Sequence, residues 1–145
     1  MVFLLDTNIV SETIKPRPAG RVLSWVTDQI AGDLFLASMT IGELVRGARR
    51  LKETSRRKVY KRWIEDDLVK QFDGRILSFD QDAAVIWGEI MGDGDRTGRT
   101  RSAVDAHIAA VARRHNLTLA TRNLKDFGAM EVLLFNPWSN ESKSE

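Results

Sequence analysis

The stretch VFLLDTNIVSE, residues 2–12, decides how the fold is read. Four apolar residues run unbroken into Asp6, which is followed at once by the hydroxyl of Thr7 and the amide of Asn8. An apolar run of that length fits a strand buried on both faces, the habit of parallel sheets. A carboxylate directly behind it risks burial, and a buried charge needs a partner. The plainer alternative is a strand-ending turn built on Thr7 and Asn8.

Working outward, LFLA (34–37), ILSF (76–79), LTLA (117–120) and VLLF (132–135) have the length and composition of further strands. Between them the apolar spacing turns helical. Ile41, Leu44, Val45, Ala48 and Leu51 mark one face, and Val59, Trp63 and, less cleanly, Leu68 mark another over residues 54–72. Ala83, Ile86, Trp87 and Ile90 do the same for 82–91, and Val104, Ile108 and Val111 for 102–115. Strands alternating with helices predict an α/β fold. Pro16 and Pro18 interrupt the chain after a short turn of helix, GDGDRTGRT (92–100) reads as a mobile loop, and the polar end NESKSE reads as frayed. The expected organisation is one domain over residues 1–138 with a polar C-terminal tail at 139–145.

The chain has 145 residues and no cysteine, which excludes disulfides and thiolate metal sites. It opens without a basic, then long apolar, leader, and no apolar run approaches the roughly 18 residues of a membrane span. The expectation is a cytoplasmic protein with no membrane partner. The net charge of +2 conceals a block at residues 46–62, where nine cations face Glu53 alone. Such a block is either a solvated helix face or a surface for a polyanion or an acidic partner.

The acids fall at telling places. Ligands of an open parallel sheet sit beyond the carboxyl ends of its strands. Asp6 closes the first strand, Glu43 is expected in the first turn of the helix after 34–37, Asp105 opens a helix after a loop, and Asn123 and Asp126 follow 117–120. Gathered carboxylates raise one another's pKa and persist only with a compensating cation, proton or basic partner. Magnesium takes such oxygen ligands and keeps several waters, and it supports in-line displacement at phosphorus. Taken singly, each acid also has a structural reading. Thr40 to Glu43 and Ser102 to Asp105 both fit the capping box, and Asp126 suits a turn before Phe127 and Gly128. His107 and His115 stand roughly 12 Å apart on one helix, at about 1.5 Å per residue, too far to act as an acid and base pair on one phosphate. The four tryptophans suit core or interface positions better than base stacking.

With these residues in view, the sequence resembles the PIN-domain ribonucleases, specifically the VapC or FitB-like toxins of toxin-antitoxin pairs. The resemblance is carried by LLDTNIVSE, ASMTIGELVRGA, SAVDAHIAAVARRHNLTLATRNLKDF and VLLFNPW, which together span nearly the whole chain in order. It implies a PIN-domain sandwich, a central mainly parallel sheet flanked by helices. It further implies a magnesium- or manganese-dependent endoribonuclease whose metal is held by Asp6, Glu43 and Asp105, with Thr7 orienting them. Asn123 stands where many members carry aspartate, which leaves Asn123, Asp126 or neither to complete the shell. Implied partners are an RNA substrate, a second copy of the chain, a cognate antitoxin, and promoter DNA reached only through that antitoxin. Arg46, Arg49, Arg50, Arg99 and Arg122 are the candidate contacts to RNA or antitoxin. A haloacid-dehalogenase-type phosphatase would need an aspartate where Asn8 stands. A non-catalytic module that binds a basic peptide through its acids is the competing reading.

Overall fold

Phe3, Leu4 and Leu5 alternate between two cores, and that alternation organises the molecule. In a computed structural model that describes residues 1–143, strand β1 (Phe3–Leu5) sends Leu4 to one face of the sheet and Phe3 and Leu5 to the other. Because both faces are covered, the strand is buried throughout, as its unbroken apolar run requires.

The elements follow in the order α1 (Thr7–Thr13), α2 (Gly20–Asp28), β2 (Leu34–Ala37), α3 (Ser38–Arg49) and α4 (Thr54–Arg62). A π-helical turn (Trp63–Leu68) leads from α4 into the short α5 (Val69–Gln71) and β3 (Ile76–Leu77). Next come α6 (Gln81–Thr97), α7 (Ala103–Arg114), β4 (Thr118–Ala120), α8 (Leu124–Phe127), β5 (Leu134–Asn136) and β6 (Glu141–Lys143). The sheet order is β3-β2-β1-β4-β5-β6, parallel throughout except for the β5–β6 pair. The chain leaves β1 toward β2 on one side and returns to β4 on the other, so the order reverses at the β1–β4 boundary. Crevices at such reversals are where α/β sheets hold ligands.

One face of the sheet packs against α6, α7 and α8, and the other against α1 to α4, the π-helical turn and Phe72. Helix α7 is buried almost all round from Ala106 to Ala112, with four alanines among those positions. Small side chains let its backbone lie close to both the sheet and α6. The helix ends on Asn116 in the left-handed region (φ 57°), with Leu117 N donating to Ala112 O at 2.8 Å and Asn116 N to Arg113 O at 3.2 Å. Those two bonds form a Schellman motif.

Three local expectations are corrected, and one helix is added. Residues 92–97 are helical rather than a mobile loop, because α6 runs on to Thr97 and stops at Gly98 (φ 72°), which closes a second Schellman motif through Arg99 N to Gly94 O. Part of the expected frayed end pairs with β5 as β6, and only residues 144–145 lie outside the described chain. Val59 points outward, 67% exposed, because the wider π turn shifts the helix phase and hands the inward face to Ile64, Leu68 and Phe72. Helix α2 lay unread although Val22, Trp25 and Val26 carry its spacing; Trp25 packs edge-on against Phe3 at 4.9 Å between ring centroids.

Two glycines of α6 give opposite predictions. A Cβ at Gly92 meets nothing within 4 Å, whereas one at Gly94 stands 2.7 Å from the carbonyl oxygen of Arg99. Gly92→Ala is therefore expected to stabilise by about 0.5–1 kcal/mol through helix propensity alone. Gly94→Ala should lose that gain and destabilise by about 1–3 kcal/mol, because backbone must move to admit the methyl. Urea melts of the two variants check the contrast; equal shifts would contradict the close approach.

Candidate active site

Asp6 sits where the sheet order reverses. It is the N-cap of α1, and its carboxylate accepts from Thr7 N at 2.8 Å through Oδ1. The Thr121 hydroxyl, just past β4, donates to Asp6 Oδ2 at 2.8 Å, and Asp6 N donates to Ala120 O at 2.9 Å. The strand-end acid is thus laced to the neighbouring strand by backbone and side chain together. It is 7% exposed. Burial pushes its pKa up from 3.8 to about 6; the bonds from Thr121 and Thr7 pull down, and Glu43 and Asp105 push up further.

Glu43 arrives on α3, but in the second turn. No loop separates β2 from α3, so the helix begins at Ser38 and the expected capping box from Thr40 does not form. Thr40 is instead fully buried, its hydroxyl without a partner. The Glu43 carboxylate is held by the Thr7 hydroxyl, which donates to Oε1 at 2.6 Å. Asp105 arrives on α7, whose N-cap Ser102 accepts from Asp105 N at 3.2 Å, so this half of the second expected capping box is present. Burial, then Asp126 and Glu43, raise the Asp105 pKa. His107 lies on the same helix, stacked on Phe79 at 3.8 Å between ring centroids, and burial lowers its pKa.

Asp6, Thr7, Glu43, Asp105, Arg122 and Asn123 line one open pocket of about 380 Å³. Asp126 lines a neighbouring pocket of about 320 Å³ that shares Asp105, and Arg99 lines it too. Arg46, Arg49 and Arg50 are not brought to the acids: Arg46 and Arg49 occupy the last turn of α3, Arg50 caps it, and Arg49 faces a cavity between α3 and α4.

Sequence reasoning gave no role in the site to Asn8, Glu12 and Trp138, which line this pocket, or to Thr121 buried behind it. Asn8 was read only as a turn residue and Thr121 was unweighted, yet Thr121 Oγ1 also accepts from Asn123 N at 3.1 Å, which fixes the turn carrying Arg122 and Asn123. Glu12, 6% exposed, accepts from Lys15 Nζ and Ala19 N at 2.8 Å each; these bonds, with the Lys15 and Arg122 charges, lower its pKa. Trp138 lines the pocket with the Arg122 guanidinium 5.1 Å from its ring centroid. Strand ends and helix starts pointed to the acids, and the Thr121 hydroxyl carried no such signal.

The donors fit a hard divalent cation. They are oxygens only, and three carboxylates share one pocket, in which the Glu43 charge helps raise the pKa of both Asp6 and Asp105. Among the described residues no three His, Cys, Asp or Glu side chains form a ready-made metal cage. Magnesium asks for less, since one or two carboxylates and several waters hold it.

Thr121→Val tests the lacing. Loss of its donated bond is expected to cost about 1–3 kcal/mol, because it leaves the buried Asp6 Oδ2 with only the long 3.5 Å bond from Asn8 Nδ2. It should also move the Asp6 pKa upward, since that bond favours the charged form. Chemical shift titration of the Asp6 carboxyl checks the sign.

A mainly parallel α/β sandwich with acids gathered at the strand-order reversal defines a class, and the chain belongs to the PIN-domain family, whose family model matches residues 3–132. Within it the chain is closely related to the VapC and FitB toxins. It is 38% identical to Toxin FitB of Neisseria gonorrhoeae over 94% of this chain and 99% of that one. It is 32% identical to VapC ribonuclease Y4jK of Sinorhizobium fredii over 94% and 98%. It is similar to the solved structure of FitAB bound to an IR36 DNA fragment, with a TM-score of 0.86, 36% identity and coverage of 94% and 96%. Among the described residues no helix is long and apolar enough to cross a membrane.

Proposed function

We propose that this protein is a metal-dependent endoribonuclease toxin neutralised by a cognate antitoxin. The observation that carries this reading is the shared pocket of Asp6, Glu43 and Asp105 at the β1–β4 reversal, drawn from three distant segments. Kinship with a toxin and with a VapC ribonuclease supports it. Magnesium or manganese, when bound, supplies an activated water and positive charge for in-line displacement at phosphorus. Asp6, Glu43 and Asp105 would hold the ion. Thr7 keeps the Glu43 carboxylate in place, and Thr121 keeps Asp6 in place. Arg122, on the same pocket wall, suits the backbone phosphates of RNA. Water attacks the phosphorus, the bond to the 3′ oxygen breaks, and the products carry a 5′-phosphate and a 3′-hydroxyl. Asn123 and Asp126 are auxiliary groups of this reading, Asn123 in the shared pocket and Asp126 beside Asp105.

The same reading includes a homodimer and an antitoxin that carries the complex to promoter DNA; the FitAB complex bound to a DNA fragment supports the last part. The basic block at residues 46–62, which lies off the acid pocket, then suits the antitoxin better than the substrate. The test is incubation of antitoxin-free protein with total cellular RNA, with magnesium and with chelator. Fragments with 5′-phosphates that appear only with metal are the expected result, and end mapping supplies the cleavage site. Absence of fragments with no magnesium-dependent rise in melting temperature would favour a non-catalytic module that binds a basic peptide.

A further inference from the structure

The pocket beyond Asp105 is lined by Arg99, Arg101, Ser102, Lys125 and Asp126. Three cations stand there beside two carboxylates, yet among the described residues none of the three forms an ion pair with either. Elsewhere cations near acids do pair, as Arg114 does with both Asp80 and Asp82 at 3.2 Å. Arg101 donates through Nη1 to Ile90 O at 2.8 Å, and its Nε is buried without an acceptor, so its guanidinium holds donor capacity the protein does not use. Ser102 is already engaged with Asp105: its oxygen accepts from Asp105 N, and its side chain bonds the Asp105 carboxylate, which lowers that group's pKa.

Position adds to charge. Asp105 lines both this pocket and the acid pocket, so the two are neighbours across one side chain. Arg122 lines the acid pocket and the three unpaired cations line this one, with Asp105 common to both. A strand whose scissile phosphate lies at the acids would place its next backbone phosphate on one side or the other.

We infer that the Arg99–Arg101–Lys125 pocket is a backbone-phosphate subsite for single-stranded RNA, next to the scissile bond across Asp105. It rests on the nuclease reading for its substrate and deepens it by fixing the path of the strand. Arg99 and Lys125 are exposed and bind the phosphate as mobile point charges, while the anchored Arg101 gives the pocket its fixed positive wall. Contacts of this kind carry no base information, so the subsite sets affinity and register rather than sequence preference.

The experiment uses the Asp6→Asn chain at fixed magnesium, titrated with a short fluorescein-labelled single-stranded RNA of mixed sequence over a salt series. The Arg99→Ala, Lys125→Ala double variant is expected to lower the slope of log affinity against log salt by up to about 0.7, the value for one phosphate contact on a single strand, and each single variant by part of that. Lys125→Arg should restore the slope, since it returns the charge. In cleavage by the otherwise native enzyme, both alanine variants should raise KM with kcat held. A double variant with an unchanged slope, or an Asp6→Asn chain that fails to bind the RNA at all, overturns the subsite. Failure of the nuclease reading looks different: the native chain then leaves RNA intact with magnesium whatever the slopes show.

Discussion

Asp6→Asn is expected to abolish RNA cleavage and to raise the melting temperature at pH 7 in the same sample. The two effects have one cause. Asp6 is buried and its carboxyl is pushed up to about 6, so in the metal-free protein near neutral pH its ionised form is a burden on the fold. A folded-state pKa above the unfolded value gives stability that is fully present below about pH 4 and lost as pH rises through about 6. The cost at pH 7 is on the order of 3 kcal/mol, from roughly 1.4 kcal/mol per unit of pKa. Asparagine keeps the volume and removes the charge, so its gain should reach several degrees at pH 7 and vanish at pH 4. Magnesium should close the gap by stabilising only the native chain. Activity should fall by at least about 10³-fold, the scale of several kcal/mol of lost charge stabilisation. Retained cleavage would remove Asp6 from the mechanism. A lower melting temperature at pH 7 would mean that the Thr121 and Thr7 bonds outweigh the burial.

The parallel sheet was legible because its strands are buried on both faces. Phe3, Leu4 and Leu5 have no solvent side, so their apolar run is continuous and stands out. The meeting of Asp6, Glu43 and Asp105 in one pocket followed from strand ends and helix starts on the same sheet edge. What escaped depended on contacts that local composition does not record. The glycines of residues 92–98 read as loop, yet Gly94 is there so that Arg99 can fold back on α6, and Gly98 supplies only the stop. The π turn at Trp63–Leu68 changes the period that sequence spacing assumes to be constant, which is why Val59 was misassigned. Thr121 looks like any strand-end threonine, and its importance lies wholly in the acid 115 positions earlier that its hydroxyl holds. Asp126, Phe127 and Gly128 looked like a turn, and a helix as short as α8 has too few residues to show a period.

Phe127→Ala is expected to cost about 3–5 kcal/mol, the usual range for a buried phenylalanine, and that is a large share of the roughly 5–15 kcal/mol that holds a domain folded. Phe127 is 1% exposed and belongs to the core cluster that includes Ile108, Met130 and Val132. A four-residue helix has no stability of its own, because forming its first turn already costs more than its few bonds return. Helix α8 is therefore held in place by Phe127 and by the buried Leu124 at its start. Lys125 and Asp126 point the other way, to the pocket beside Asp105. One ring thus couples the core to the rim of the site. Melting should drop by about 6–20 °C, at roughly 2–4 °C per kcal/mol for chains of this size. At temperatures where the variant remains folded, the loosened α8 should still raise KM for RNA, because Lys125 then samples more positions. Leu133→Ala, which trims a side chain 46% exposed, is the control and should stay within about 0.5 kcal/mol of the native chain. Equal losses from the two truncations would mean that α8 is held by its backbone rather than by Phe127.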